Sequence, residues 1–66
     1  MDELDQVQRN IERLLESNRL DRVALANTVS LTPERRLFLR EAIRNRDGEL
    51  AILMERKRVL EAQKNQ

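Results

Sequence analysis

The chain has 66 residues, which is room for one small domain, and it contains neither cysteine nor histidine. Disulfide bonds, zinc sites of the usual kind and histidine acid–base catalysis are therefore excluded, and we expect no enzyme activity, cofactor, metal or small-molecule substrate. Charged residues make up 38% of the chain but nearly cancel, at net +1, which favours a solvated helical surface over a polyanion-binding one.

No stretch is apolar for long enough to cross a bilayer, and the acidic first residues are unlike the basic start of a signal peptide. We therefore expect a cytoplasmic protein without a membrane segment, of a kind often found in bacteria and phages. The hydrophobic core of one domain over 1–66 is marginal at this size, so a partner subunit is expected to contribute stability.

Residues 2–17 are predicted to form an amphipathic helix. Its apolar residues recur at spacings of three and four, which places them on one narrow stripe. Carboxylates in the first turns favour the positive end of the helix dipole. The stripe consists of Leu4, Val7, Ile11, Leu14 and Leu15.

The segment 17–31 allows two interpretations. Asn18 followed by Asp21 resembles a helix N-cap with an acidic residue three positions later, which would start a short helix after a kink. Alternatively, the first helix continues to about Asn27. The cap-type and β-branched residues that follow predict a turn at about Thr28–Leu31.

Thr32, Pro33 and Glu34 are typical of a helix start: a capping hydroxyl, a proline at the first helical position and a carboxylate in the first turn. From there a helix is predicted to about Gln63. Gly48 could interrupt it as a C-cap, but the apolar pattern continues through this position, so a packing role for the glycine is the alternative.

The predicted second helix is apolar on two sides. Arg46 and Lys57 lie within the main side and are expected to extend their charged ends toward solvent. The main side consists of Phe38, Leu39, Ala42, Ile43, Leu50, Leu53, Met54 and Leu60. The lesser side, roughly opposite, consists of Leu37, Gly48, Ala51, Ile52, Val59 and Ala62.

The fold class that these patterns predict is all-α: an antiparallel helical hairpin with a short third helix as an alternative, forming a dimeric helix bundle. The first helix would cover the main side of the second, which brings Asp2, Glu3 and Asp5 near Arg56, Lys57 and Arg58. The lesser side would remain for self-association or a partner protein, unless it packs on the Leu20–Val29 segment.

Arg36, Arg40 and Arg44 are spaced four residues apart and form one ridge of like charge, which needs an acidic counterpart. Glu12 and Glu16, or another subunit, could supply it, and a solvated ridge without such a counterpart is the remaining structural interpretation. An acidic partner protein is the functional interpretation, because arginine suits forked carboxylate recognition, and nucleic-acid phosphate is the alternative.

The resulting hypothesis is a small protein-binding regulator, such as an adaptor, inhibitor or chaperone-like subunit, that acts through helix–helix packing with itself and a partner. The alternative is a nucleic-acid-binding regulator that uses Arg36–Arg46. The ranges 21–29 and 33–44 have lengths typical of a helix-turn-helix, but the turn has no glycine, and Phe38 is the only aromatic residue of the chain that could stack on a base.

Overall fold

The computed structural model describes residues 2–27 and 29–64. Two helices contain most of them: α1 spans Glu3–Asn27 and α2 spans Pro33–Lys64. The helices pack side by side in opposite directions and form an elongated hairpin of 52 × 17 × 15 Å. The predicted all-α hairpin is confirmed, and within the described ranges there is neither a strand nor a third helix. Thr28, at the predicted turn, lies outside the described residues.

The first helix begins with a side-chain cap and runs farther than the apolar stripe predicts. The backbone N–H of Asp5 donates to Asp2 Oδ1 at 2.8 Å, which satisfies one of the free amides of the first turn. The helix then continues through Asn18 to Asn27. The predicted kink at Asn18 is therefore wrong, and the alternative of one long helix is confirmed.

Asn18 makes a contact between the helices and does not cap one. The residue is 4% exposed, and its side-chain Nδ2 donates to Asp47 Oδ1 of α2 at 2.8 Å. Since a buried amide needs a hydrogen-bond partner, this contact helps to set the register of the hairpin.

The second helix begins as predicted. The backbone N–H of Arg35 donates to Thr32 Oγ1 at 3.1 Å, and the N–H of Arg36 donates to the Thr32 carbonyl at 3.0 Å. Pro33 occupies the first helical position, where its missing N–H costs nothing. The helix passes through Gly48 without interruption and ends at Lys64, which confirms the predicted continuous helix, and the alternative of a C-cap at Gly48 is wrong.

The core is small and lies between the first half of α1 and the second half of α2. Val7, Ile11 and Leu50 are buried together, and Leu39 is buried nearer the turn. Half-buried apolar side chains pack against this cluster: Leu14, Leu53 and Leu60. This is little apolar burial for a domain, as the length of the chain predicts.

Two residues assigned to the covered side of α2 are exposed. Phe38 is 60% exposed and Met54 is 47% exposed, because they lie at the two edges of the stripe that α1 covers. The Arg35 guanidinium lies over the Phe38 ring, 5.1 Å from its centroid. From α1, Leu15 is likewise exposed. The main side is thus narrower than its apolar pattern predicts.

Ion pairs cross between the helices in the predicted direction. Glu3 and Arg56 are 2.6 Å apart, which confirms that the acidic start of α1 returns to the basic end of α2. Arg46 forms an ion pair with Asp21 across the two helices. The sequence had instead predicted that its charged end extends toward solvent. Lys57 is half-buried and lies 3.9 Å from Glu61 of its own helix.

Candidate interaction surface

The lesser apolar side of α2 faces away from α1, and we call it the outer face. Leu37 is 57% exposed and Ile52 is 72% exposed, although both are large apolar residues. Three small residues beside them are also exposed, and Val59 is half-buried. The structure therefore leaves all six predicted residues on the side that α1 does not cover: Leu37, Gly48, Ala51, Ile52, Val59 and Ala62.

The alternative that this face packs on the segment Leu20–Val29 is wrong for the described part of that segment. As far as Asn27 it belongs to α1, which packs on the opposite side of α2. Leu20 and Val29 are themselves exposed. A second cover for α2 therefore does not come from the described residues of the chain.

Gly48 has no packing role inside the hairpin. A Cβ built at this residue would meet nothing within 4 Å. Glycine within a helix costs roughly 1 kcal/mol relative to alanine, and no side-chain contact with a described residue of the hairpin would be lost by offsetting that cost with alanine. Because Gly48 has no side chain, the helix backbone is exposed in the middle of the outer face.

The arginine ridge follows the outer face on one flank. Arg40 and Arg44 are exposed and make no hydrogen bond or ion pair with any residue that the structure describes, while Arg36 is half-buried. Like charges at this spacing disfavour a helix by a few tenths of a kcal/mol per pair. These two guanidinium groups are therefore available to an acidic counterpart.

Glu12 and Glu16 do not supply that counterpart. Glu12 accepts a hydrogen bond from Gln8 at 3.0 Å, and Glu16 pairs with Arg19 at 2.6 Å. The hairpin register places Asn18 beside Asp47, so residues before Asn18 face the later part of α2. The intramolecular interpretation of the ridge is thus wrong for Arg40 and Arg44.

Two exposed carboxylates form local pairs with arginines of the same helix. The hydrogen bond from Arg19 lowers the pKa of Glu16, with a Coulomb contribution in the same direction. The hydrogen bond and charge of Arg58 lower the pKa of Glu55 in the same way. Both carboxylates are therefore charged at neutral pH, and Glu55 presents its charge on the exposed side of α2.

A shallow groove that the sequence pattern did not predict runs along one edge of the helix pair. The exposed side chains of Leu15 and Met54 line it beside Ile11, and Lys57 and Glu61 lie at its polar end. It arises because α1 covers α2 along a narrow line and leaves the edge residues of both stripes open. The sequence could not predict this groove, because the pattern of apolar residues does not give the width of the contact between α1 and α2.

Neither a metal centre nor a membrane-spanning helix occurs in the part of the chain that the structure describes. No group of three or more carboxylates there is placed to hold an ion. Both helices carry too many charged residues along their length to cross a bilayer.

Comparison with known proteins finds no family model, no curated protein and no solved structure that matches this chain.

Replacing Gly48 with alanine is expected to stabilise the isolated hairpin by roughly 1 kcal/mol, because the added methyl group meets no neighbour and favours the helix. Urea unfolding followed by far-ultraviolet circular dichroism at low protein concentration measures this change. Glu49→Ala is the matched control at an exposed neighbouring position and should change stability by less than about 0.5 kcal/mol. A loss of stability in Gly48→Ala would contradict the absence of an intramolecular role.

Proposed function

We propose that this chain is a small, non-catalytic, protein-binding regulator of the cytoplasm. It acts through helix–helix packing with itself and with a partner protein. The observation that supports this most directly is the outer face of α2, where Leu37 and Ile52 are exposed although α1 already covers the opposite side. Exposed apolar surface of this kind, bordered by charge, is typical of protein interaction sites.

Self-association is favoured by the size of the core. The four buried apolar residues in 2–27 and 29–64 are a small core for a domain, and natural domains of this length commonly gain stability from a partner subunit. In the hairpin alone, only one side of α2 is covered and contributes apolar burial. Apolar surface removed from water contributes about 25 cal/mol per Å², so covering the outer face with a second chain would increase the stability further.

The basic flank of the outer face supports an acidic protein counterpart. Arg40 and Arg44 project from one ridge without a described partner, and guanidinium groups recognise carboxylates through paired hydrogen bonds. Nucleic acid is the competing counterpart. The helix-turn-helix interpretation of 21–44 loses support, because 21–27 belongs to a long helix antiparallel to α2 and such motifs cross their helices steeply.

The double replacement Ile52→Glu/Val59→Glu should shift the protein toward monomer, because it places charge in the proposed interface. Sedimentation equilibrium of the wild type at up to about 100 µM should show a mass that rises with concentration. Leu20→Glu/Val23→Glu is the matched control, since it changes two exposed apolar residues of α1 outside the outer face. A wild type that remains monomeric over this range would contradict self-association.

The replacement Arg40→Gln/Arg44→Gln distinguishes between an acidic protein and nucleic acid as the partner of the arginine ridge. If the ridge binds protein carboxylates, binding of the wild type to random duplex DNA at physiological salt should be negligible. Fluorescence anisotropy with a labelled duplex measures this. A wild type that binds duplex with a steep salt dependence, flattened by about 2 in the slope of log K against log salt in the variant, would support nucleic acid instead.

A further inference from the structure

The outer face of α2 carries a regular series of residues at alternating spacings of four and three. This is the spacing of the two inward positions of a coiled-coil heptad. The series follows the exposed side of α2 along its length, opposite the residues that contact α1. We call these eight residues the seam: Leu37, Glu41, Arg44, Gly48, Ala51, Glu55, Arg58 and Ala62.

We infer that the seam binds the seam of a second copy of this chain in the antiparallel direction, with a two-fold axis at the level between Glu49 and Leu50. The inference rests on the proposed self-association and specifies its partner, orientation and register. In this arrangement the smallest residues meet at the centre, where Gly48 faces Ala51 of the second copy. At the ends, Leu37 faces Ala62 of the second copy.

The charged residues of the seam are self-complementary in this register. Glu41 faces Arg58 of the second copy, and Arg44 faces Glu55 of the second copy, each pair occurring twice because of the two-fold axis. A parallel pairing in register would place each of these residues against its own copy and therefore oppose like charges at all of them. Since unlike charges favour one pairing and like charges disfavour the other, the antiparallel orientation is selected.

The same register supplies the acidic counterpart of the ridge. Arg44 meets Glu55 of the second copy, and Arg40, on the flank of the seam, lies within about one helical turn of Glu61 of the second copy. Glu55 already pairs with Arg58 of its own helix, and Glu61 lies 3.9 Å from Lys57. The arginines of the second copy would extend these exposed pairs into networks, which contribute more than isolated surface pairs do.

The small residues at the centre fit a close approach of two helices. Gly48 lacks a contact inside the hairpin, and Ala51 beside it is exposed. Because glycine has no side chain, the backbone of a neighbouring helix can come closer to a glycine than to any other residue. Ile52 lies next to this point, and the two copies of it would be separated by about 8 Å along the helix axes, near enough to cover the central contact.

An experiment with introduced cysteines tests the register, since the chain has no cysteine of its own. Leu37→Cys and Ala62→Cys are prepared separately, mixed and oxidised, and the disulfides are mapped by mass spectrometry. The expected product is a bond between Cys at 37 of one variant and Cys at 62 of the other. Each variant alone should form little disulfide, because identical positions lie roughly 38 Å apart in this register.

The outcomes distinguish the register from the proposed function. Same-site disulfides in the unmixed variants would show a parallel pair and overturn the inference. A dimeric wild type whose mixed variants form no cross-link would also overturn it, while the proposed self-association would stand. A monomeric wild type would overturn both.

A charge exchange gives a second readout that does not alter the apolar ends. Arg44→Glu and Glu55→Arg each create like-charge contacts in their own antiparallel dimers, so each alone should dimerise at least about tenfold more weakly than the wild type. An equal mixture should recover dimer, because Glu at 44 then faces Arg at 55 and the native residues face each other in the second pair. Single variants that dimerise as well as the wild type would overturn the inference.

Discussion

The structure depends on one constraint: α2 is apolar on two sides, and α1 can cover only one of them. Among the residues that the structure describes, the contact between the helices buries four apolar side chains along a narrow line. Several large apolar side chains remain exposed, including Phe38 and Met54 at the edges of that line and Leu37 and Ile52 on the far side of α2. The buried contacts that stabilise the hairpin therefore lie on one side of α2, and exposed apolar surface lies on the other.

Polar contacts decide how the two helices are aligned. Asn18 is buried against Asp47, and Arg46 pairs with Asp21, so a shift in register would leave a buried amide and a half-buried ion pair without partners. Glu16 pairs with Arg19 of its own helix, while Arg44 is exposed on the side of α2 that faces away from α1. The intramolecular contacts therefore set both the shape of the hairpin and the charges left on the surface of α2.

Local sequence signals predicted the parts of the fold that depend on local chemistry. Thr32 caps α2 as its neighbours indicated, and Glu3 meets Arg56 because the hairpin direction follows from one turn between two helices. The burial of Asn18 could not be predicted, since the same residue suits an N-cap or a contact between helices, and only the neighbouring helix decides.

The sequence predicted where the candidate surface lies on α2, but it did not predict how far the exposed apolar surface extends. The periodic pattern of α2 located the outer face correctly, because a residue's direction on a helix follows from its position in the sequence. The pattern could not show how wide a stripe α1 covers, so Phe38 and Met54 were assigned to the wrong side of that boundary. Gly48 was ambiguous for a related reason: a helix passes through a glycine when contacts elsewhere along it offset the local cost.

The central claim is that α2 lies between α1 and the α2 of a second copy. A dipolar distance measurement between nitroxides on Arg13→Cys, an exposed position on α1 near the level of the two-fold axis, tests it most directly. The two α1 helices would then be separated by three helix spacings of 8–10 Å, so a distance of roughly 25–35 Å is expected. A distance below about 20 Å would indicate a closed bundle with neighbouring α1 helices, and the absence of any dipolar coupling would indicate a monomer; either result would contradict the account.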